Sequence, residues 1–174
     1  METLTGQELV GRQEFMATEA NPFHFVDSGL DHVYLVGIQY FANPDGTFAA
    51  EIPAIKQLMK LIARDILLSP KDLTGKEVRF LRKRLGKKAS EYCTYLGIGP
   101  EMLSRVENGN TKVSIQVQKL AKLSYCAFSE DEKVGECAKG ILQSILEDMS
   151  IQEKKPKIVL QVDAHHEWRE LQAA

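Results

Sequence analysis

The turn Leu96-Gly97-Ile98-Gly99-Pro100 restricts this chain more than any other stretch. Two glycines and a proline this close together end one helix and start another, so the flanking helices must be short and separate. Apolar residues keep helical spacing on both sides. Tyr92, Cys93 and Leu96 precede the turn, while Ile98, Leu103 and Val106 follow it, up to the stop at Gly109. Cys93 supplies the small side chain needed where two helices cross closely, and Gly97 the backbone freedom of a tight turn. The second helix then buries Leu103 and Val106 and leaves Glu101, Ser104, Arg105 and Asn108 outside. Helix, turn and helix have the proportions of a helix-turn-helix, and those outer side chains are long enough to reach base edges or phosphates in a major groove.

The neighbouring segments extend the helical pattern. Thr74 and Glu77 form a T-x-x-E capping box ahead of Val78, Leu81 and Leu85, which run to Gly86. Ser114 caps a helix carrying Val117, Leu120, Ala121 and Leu123. Ser129, with Glu132 three residues on, caps a long one whose apolar face runs from Val134 to Met149. Upstream, Ile55, Leu58, Met59, Ile62 and Ile66 predict an amphipathic helix starting at Pro53, a first-turn position. The stretch "HVYLVGIQYF" and the following "TFAAEI" are rich in β-branched and aromatic residues. Pro44-Asp45-Gly46 lies between them, so a hairpin of strands near 33–41 and 47–51 is expected. A weak helical signal covers Gly6 to Phe15. After the polar "QEKKP" linker, "KIVLQV" (157–162) reads as a late strand available to join the hairpin, because an isolated two-stranded hairpin is marginal. The expected fold is mainly α: a five-helix domain with a small N-terminal α+β domain. Its parts are an α+β region (1–52, hairpin about 33–51), a connecting helix (53–70), the helix-turn-helix domain (71–127), a long helix (128–150), and a linker, strand and tail (151–174). The long helix serves either as intramolecular core or as a dimer seam.

The charge distribution points the same way. The net charge is only −2, yet from Leu73 to Val113 nine cations face four anions. A +5 island in a chain that is otherwise −7 is suited to a polyanion. No apolar run reaches the roughly 20 residues needed to span a bilayer. Glu2 also stands where a cationic leader would begin, so a cytoplasmic protein is expected. Cys93, Cys126 and Cys137 are odd in number and widely spaced. They read as reduced core cysteines rather than a disulfide framework or zinc site. Asp163, His165, His166 and Glu167 lack further ligands at helical spacing and read as a solvated tail, so no metal is expected. There is no nucleophile–base pair, no paired catalytic carboxylates and no glycine-rich phosphate loop, so neither an enzyme nor a cofactor is expected.

The segment "LTGKEVRFLRKRLGKKASEYCTYLGIGPEMLSRVENGNTK" strongly resembles the Cro/repressor-type (Xre-like) helix-turn-helix domain over about residues 73–124, most specifically in "LSRVENG". The resemblance implies an Xre-type fold. It also implies a structural ion pair between Glu107 and Arg82, fixing the first helix against the reading helix. Asn108, Thr111 and Lys112 match phosphate-holding positions after the reading helix, and Lys87 and Lys88 flank the duplex backbone. Glu101 and Arg105 match base-facing positions, with Ser104 on the same face. Arg105 is the foremost candidate for direct readout, because a guanidinium can fork onto guanine O6 and N7. Two positions depart from the pattern. Pro100 offers no side-chain donor at a base-facing position, and Ala89 replaces the usual phosphate-bonding glutamine. Either specificity leans on Arg105 and DNA shape, or the DNA face is partly decayed.

The upstream segment also resembles the region preceding this domain in zinc-finger/helix-turn-helix antitoxins related to MqsA. There a CxxCG knuckle stands where this chain has "ANPDG". Ala42 and Asp45 occupy the cysteine positions, so zinc is not expected. Taken together, these features predict a sequence-specific DNA-binding transcriptional repressor. It would be a homodimer on a palindromic operator with half-sites about one helical turn apart. A toxin bound through the N-terminal region would make it an antitoxin and autorepressor. The alternatives are a phage or mobile-element repressor without a toxin, or a protein-interaction module with a decayed DNA face.

Overall fold

The computed structural model describes residues 13–129, 131, 134, 158–163 and 166–170. The chain forms two compact units. The first takes the described residues up to Phe25, His32–Gln57 and those from Ile158 on; the second takes Val26–Asp31 and the described residues from Leu58 to Val134.

The described residues of the first unit form seven strands: β1 (Gln13–Met16), β2 (Phe23–His24), β3 (Val33–Val36), β4 (Gln39–Ala42), β5 (Phe48–Ala50), β6 (Ile158–Val162) and β7 (Trp168–Glu170). They form a three-stranded sheet, β1-β4-β5, and a four-stranded sheet, β2-β3-β6-β7. This overturns the expectation of a mainly α protein with a small hairpin; the fold is mixed α+β with a substantial sheet component. Two causes account for the difference. First, the run 33–41 is two strands rather than one. Gly37 takes a left-handed φ of +79°, and a Cβ there would come within 2.8 Å of the Val162 carbonyl. The chain therefore breaks at Gly37, sending β3 into one sheet and β4 into the other. Second, the short strands β1, β2 and β7 extend the sheets beyond the expected hairpin and late strand, and β3 leaves the hairpin to take that late strand as its partner. β3 pairs in parallel with β6, placing buried Val33 opposite Ile158 and buried Leu35 opposite Leu160.

β4 and β5 are the two arms of a hairpin turning at Asn43–Thr47. Gly46 adopts a φ of +81° there. The Asp45 carboxylate accepts hydrogen bonds from the Thr47 amide at 2.9 Å and hydroxyl at 2.6 Å. Those bonds, the hydroxyl's first, hold its pKa below the ordinary aspartate value. The helical signal ending at Phe15 gives way, over its described residues, to strand β1. Tyr40 gathers the aromatic side chains of this unit, stacking on Phe15 at 5.3 Å and meeting Phe23 and Phe48. Buried Trp168 donates from Nε1 to the Pro53 carbonyl at 2.8 Å.

Five helices are described: α1 (Ile55–Leu68), α2 (Gly75–Arg84), α3 (Ala89–Leu96), α4 (Pro100–Glu107) and α5 (Ile115–Phe128). α1 starts two residues after Pro53, because Ala54 turns with φ 46° and its carbonyl accepts the Gln57 amide. Its Leu58, Ile62, Ala63, Ile66 and Leu67 are buried. In the second unit α2 packs on α4 and α5, and α3 packs on the same two helices. Val78, Phe80, Leu81, Tyr92, Leu96, Leu103, Val106, Val117 and Ala121 are buried there. Gln118, itself buried, donates to the Val113 carbonyl and accepts the Leu73 amide, satisfying backbone groups at the base of α2 and α5. Of the long helix expected over 128–150, Phe128 belongs to α5, and apart from it and Ser129, Asp131 and Val134 that helix, the dimer seam it offered and the linker after it lie outside the described residues.

Candidate nucleic-acid interface

The α3–turn–α4 geometry follows from local chemistry. Gly97 closes α3 in the left-handed region, at φ +63°, and its amide donates to the Cys93 carbonyl, as does that of Ile98. Gly99 then stands as the extended N-cap of α4, with Pro100 in the first turn, where a missing N–H costs nothing. α4 ends at Asn108, whose amide bonds back to the Ser104 carbonyl, and Gly109 reverses the chain at φ +74°.

Packing decides which face of α4 is presented. Leu103 and Val106 are buried, while Glu101, Met102, Ser104, Arg105 and Asn108 are exposed. Asn108 donates from Nδ2 to Ser104 Oγ at 3.3 Å, so the exposed polar face is partly ordered before any ligand arrives. Glu101, Ser104 and Arg105 share that face, whereas Met102 lies at its flank by helical spacing. Pro100 and Ala89 occupy exposed first positions of α4 and α3.

Behind α4, Arg82 donates from Nε and Nη2 to the two Glu107 oxygens, at 2.7 and 2.8 Å, and from Nη1 to the Lys87 carbonyl at 3.1 Å. One guanidinium thus holds α2, the end of α4 and the corner before α3. Side-chain exposure is 13% for Arg82 and 9% for Glu107, so the pair is largely withdrawn from water. The hydrogen bonds to Glu107 hold the Arg82 pKa above its ordinary value, against the opposing effect of burial. Arg79 stands farther from the same carboxylate, with Nε at 4.0 Å. Close approach is built into the backbone as well. A Cβ on Gly75 would fall 1.8 Å from the Val106 carbonyl oxygen, so the start of α2 can meet the end of α4 only with glycine there.

The cations expected to meet phosphates are placed unequally. Lys88 is exposed at the N-cap of α3, its amide bonded to Glu91. Lys87 is half-buried, with Nζ 5.7 Å from the Tyr95 ring and 6.0 Å from Phe128, two rings that stack at 5.0 Å. Lys112, 67% exposed, stands 3.5 Å from Asp72, and Thr111 is half-buried. Sequence reasoning missed Gly75, the aromatic shelf under Lys87, and the second arginine at Glu107. Only Arg79 left a signal, its three-residue spacing from Arg82.

Elsewhere, Ala42 to Asp45 lead into a turn closed by Asp45–Thr47 hydrogen bonds, with no cysteine. Burial pushes the Tyr92 hydroxyl up to about 12 and the Cys93 thiol above its ordinary value. Among the described residues no helix is long and apolar enough to cross a membrane, and no group of His, Cys, Asp and Glu is arranged to hold a metal ion. No protein family, curated protein or solved structure matches this chain.

Proposed function

We propose that this protein is a sequence-specific DNA-binding transcriptional regulator that acts as a repressor, with α4 as its reading helix. The observation that carries this reading is the division of α4. Its inner side is fixed by Leu103, Val106 and the Arg82–Glu107 fork, while its outer side presents Glu101, Ser104 and Arg105 to solvent. A reading helix needs both properties. Base discrimination depends on side chains held in place, and truncating one bidentate contact costs about 1–3 kcal/mol. Lys88 at the start of α3, with Asn108, Thr111 and Lys112 after α4, supplies the contacts that set register along the phosphates. A single helix-turn-helix makes few such contacts, so the proposal includes a homodimer on a palindromic operator.

The test is a salt titration of the full chain on DNA fragments from its own promoter. A DNA reader shows log K falling steeply with log salt, and Arg105→Ala flattens the preference among sequences. The first unit is assigned to partner binding, a toxin in the autoregulated form of the proposal. Co-purification with the product of an adjacent small reading frame tests that part.

A second reading, a protein-interaction module on a helix-turn-helix scaffold, draws on the commitment of Lys87 to aromatic rings and on the Lys112–Asp72 contact. It predicts a shallow salt slope and no sequence preference.

A further inference from the structure

A cleft of about 370 Å³ lies in the second unit, with one wall formed by α2. Lys76, Arg79 and Lys83 line that wall. Their spacing of three and four residues puts all three on one side of the helix. The remaining lining includes Ser28 and Gly29, buried Phe80, and Glu107 and Asn108 from the end of α4. The charges do not cancel. Lys76 is held by both oxygens of Asp31, at 2.6 and 2.7 Å. Glu107 already spends both oxygens on Arg82, which leaves Arg79 a distant second partner at 4.0 Å. Among the described residues Lys83 has no carboxylate partner. A guanidinium and an ammonium therefore face a concavity whose one lining carboxylate among the described residues, Glu107, is already neutralised. Concave, partly low-dielectric walls focus such a field, and a guanidinium beside an ammonium matches the several oxygens of a phosphate group.

We infer that this cleft is a binding site for a phosphate group, held by Arg79 and Lys83 with the Asn108 carboxamide in reach. The volume admits more than a bare ion and falls in the small-ligand range. Two sources share this chemistry, a phosphomonoester free in solution and the backbone of bound DNA. In either case occupancy bears on the reading helix, because Asn108 caps α4 and its carboxamide holds Ser104. Binding at one place that alters the other is a coupling between sites, and it acts equally in both directions.

The experiment is a titration of the full, nitrogen-labelled chain with inorganic phosphate replacing chloride at constant ionic strength, read at the Arg79 Nε–H and the Asn108 side-chain amide. Saturating shifts are expected at both, and an Arg79→Gln/Lys83→Gln double variant should weaken the binding about tenfold or more. Both positions are exposed, so the variant's melting temperature should stay close to that of the parent. Shifts that grow without saturating, or that saturate identically in the double variant, overturn the inference. No DNA enters this titration, so it can fail while DNA reading stands, or succeed while DNA reading fails. A second arm separates the two sources on promoter DNA in phosphate-free buffer. A backbone phosphate in the cleft makes the variant's salt slope shallower by about one unit per lost contact. For a free phosphomonoester, the variant binds DNA like the parent, and added phosphate changes only the parent's affinity.

Discussion

Arg82 closes a fork on Glu107, with 2.7 and 2.8 Å between donors and acceptors, and the same guanidinium bonds the Lys87 carbonyl. The three elements it touches are the ones that set the angle of α4. Glu107→Ala strands a largely buried cation and is expected to cost about 3 kcal/mol, read from the urea midpoint. Arg82→Lys keeps the charge but loses the fork, and should recover less than half of the stability lost by Arg82→Ala. Full recovery by lysine would show that charge alone, not the fork, holds the helices.

Gly75 and Gly99 make a matched pair. A Cβ at Gly75 would overlap the Val106 carbonyl at 1.8 Å, whereas at Gly99 it meets nothing within 4 Å. Gly75→Ala must push α2 away from α4 and should cost about 2 kcal/mol or more. Gly99→Ala should stay within about 1 kcal/mol of the parent, the modest loss expected from alanine at an N-cap. Equal effects in thermal unfolding would place the close approach elsewhere.

Tyr92 links pH to stability. Its hydroxyl is pushed from 10.0 to about 12 in the folded chain, chiefly by burial. The raised value means the fold holds the proton more tightly than the unfolded chain does. The contribution is intact below pH 10 and is lost as pH rises through about 12. At roughly 1.4 kcal/mol per unit, the loss is about 2–3 kcal/mol. Tyr92→Phe has no such proton, so the stability difference between parent and variant should change across that window. A constant difference from pH 8 to 12 would show that the hydroxyl is not the group responsible.

The two adjacent lysines ahead of α3 should behave differently on DNA. Lys88→Ala is expected to reduce the salt slope by about one unit. Lys87→Ala should change the slope less, because its ammonium rests over Tyr95 and Phe128. If Lys88→Ala and Lys112→Ala both leave slope and affinity unaltered, the phosphate assignments are wrong.

Much of the second unit was legible because its signals are local. The Thr74–Glu77 capping box, the left-handed Gly97 and the Leu103–Val106 stripe each act within a turn or two of chain, and each appears in the structure. In the first unit only the β4–β5 hairpin and the late strand β6 were legible, and the rest was hidden for the opposite reason. β3 takes its register from β6, across nearly the whole described sequence, and β2 and β7 are too short to carry a pattern of their own. The run containing Gly37 reads as one strand unless the approach of the Val162 carbonyl is known. Gly75 was hidden likewise, since the group that forbids a side chain there belongs to α4. On the candidate site, the exposure of Arg105 follows from α4's own periodicity, but the shelf under Lys87 needs Phe128 brought back from the end of α5.

The most direct test is selection of bound fragments from sheared genomic DNA by the purified full chain, in parallel with Arg105→Ala. The parent is expected to enrich one palindromic motif. The variant should still bind DNA in a salt-dependent way but lose preference at a single position in each half-site, by about 1–3 kcal/mol. A parent that enriches no motif, or a variant that enriches the same motif as strongly, would contradict α4 as the reading helix.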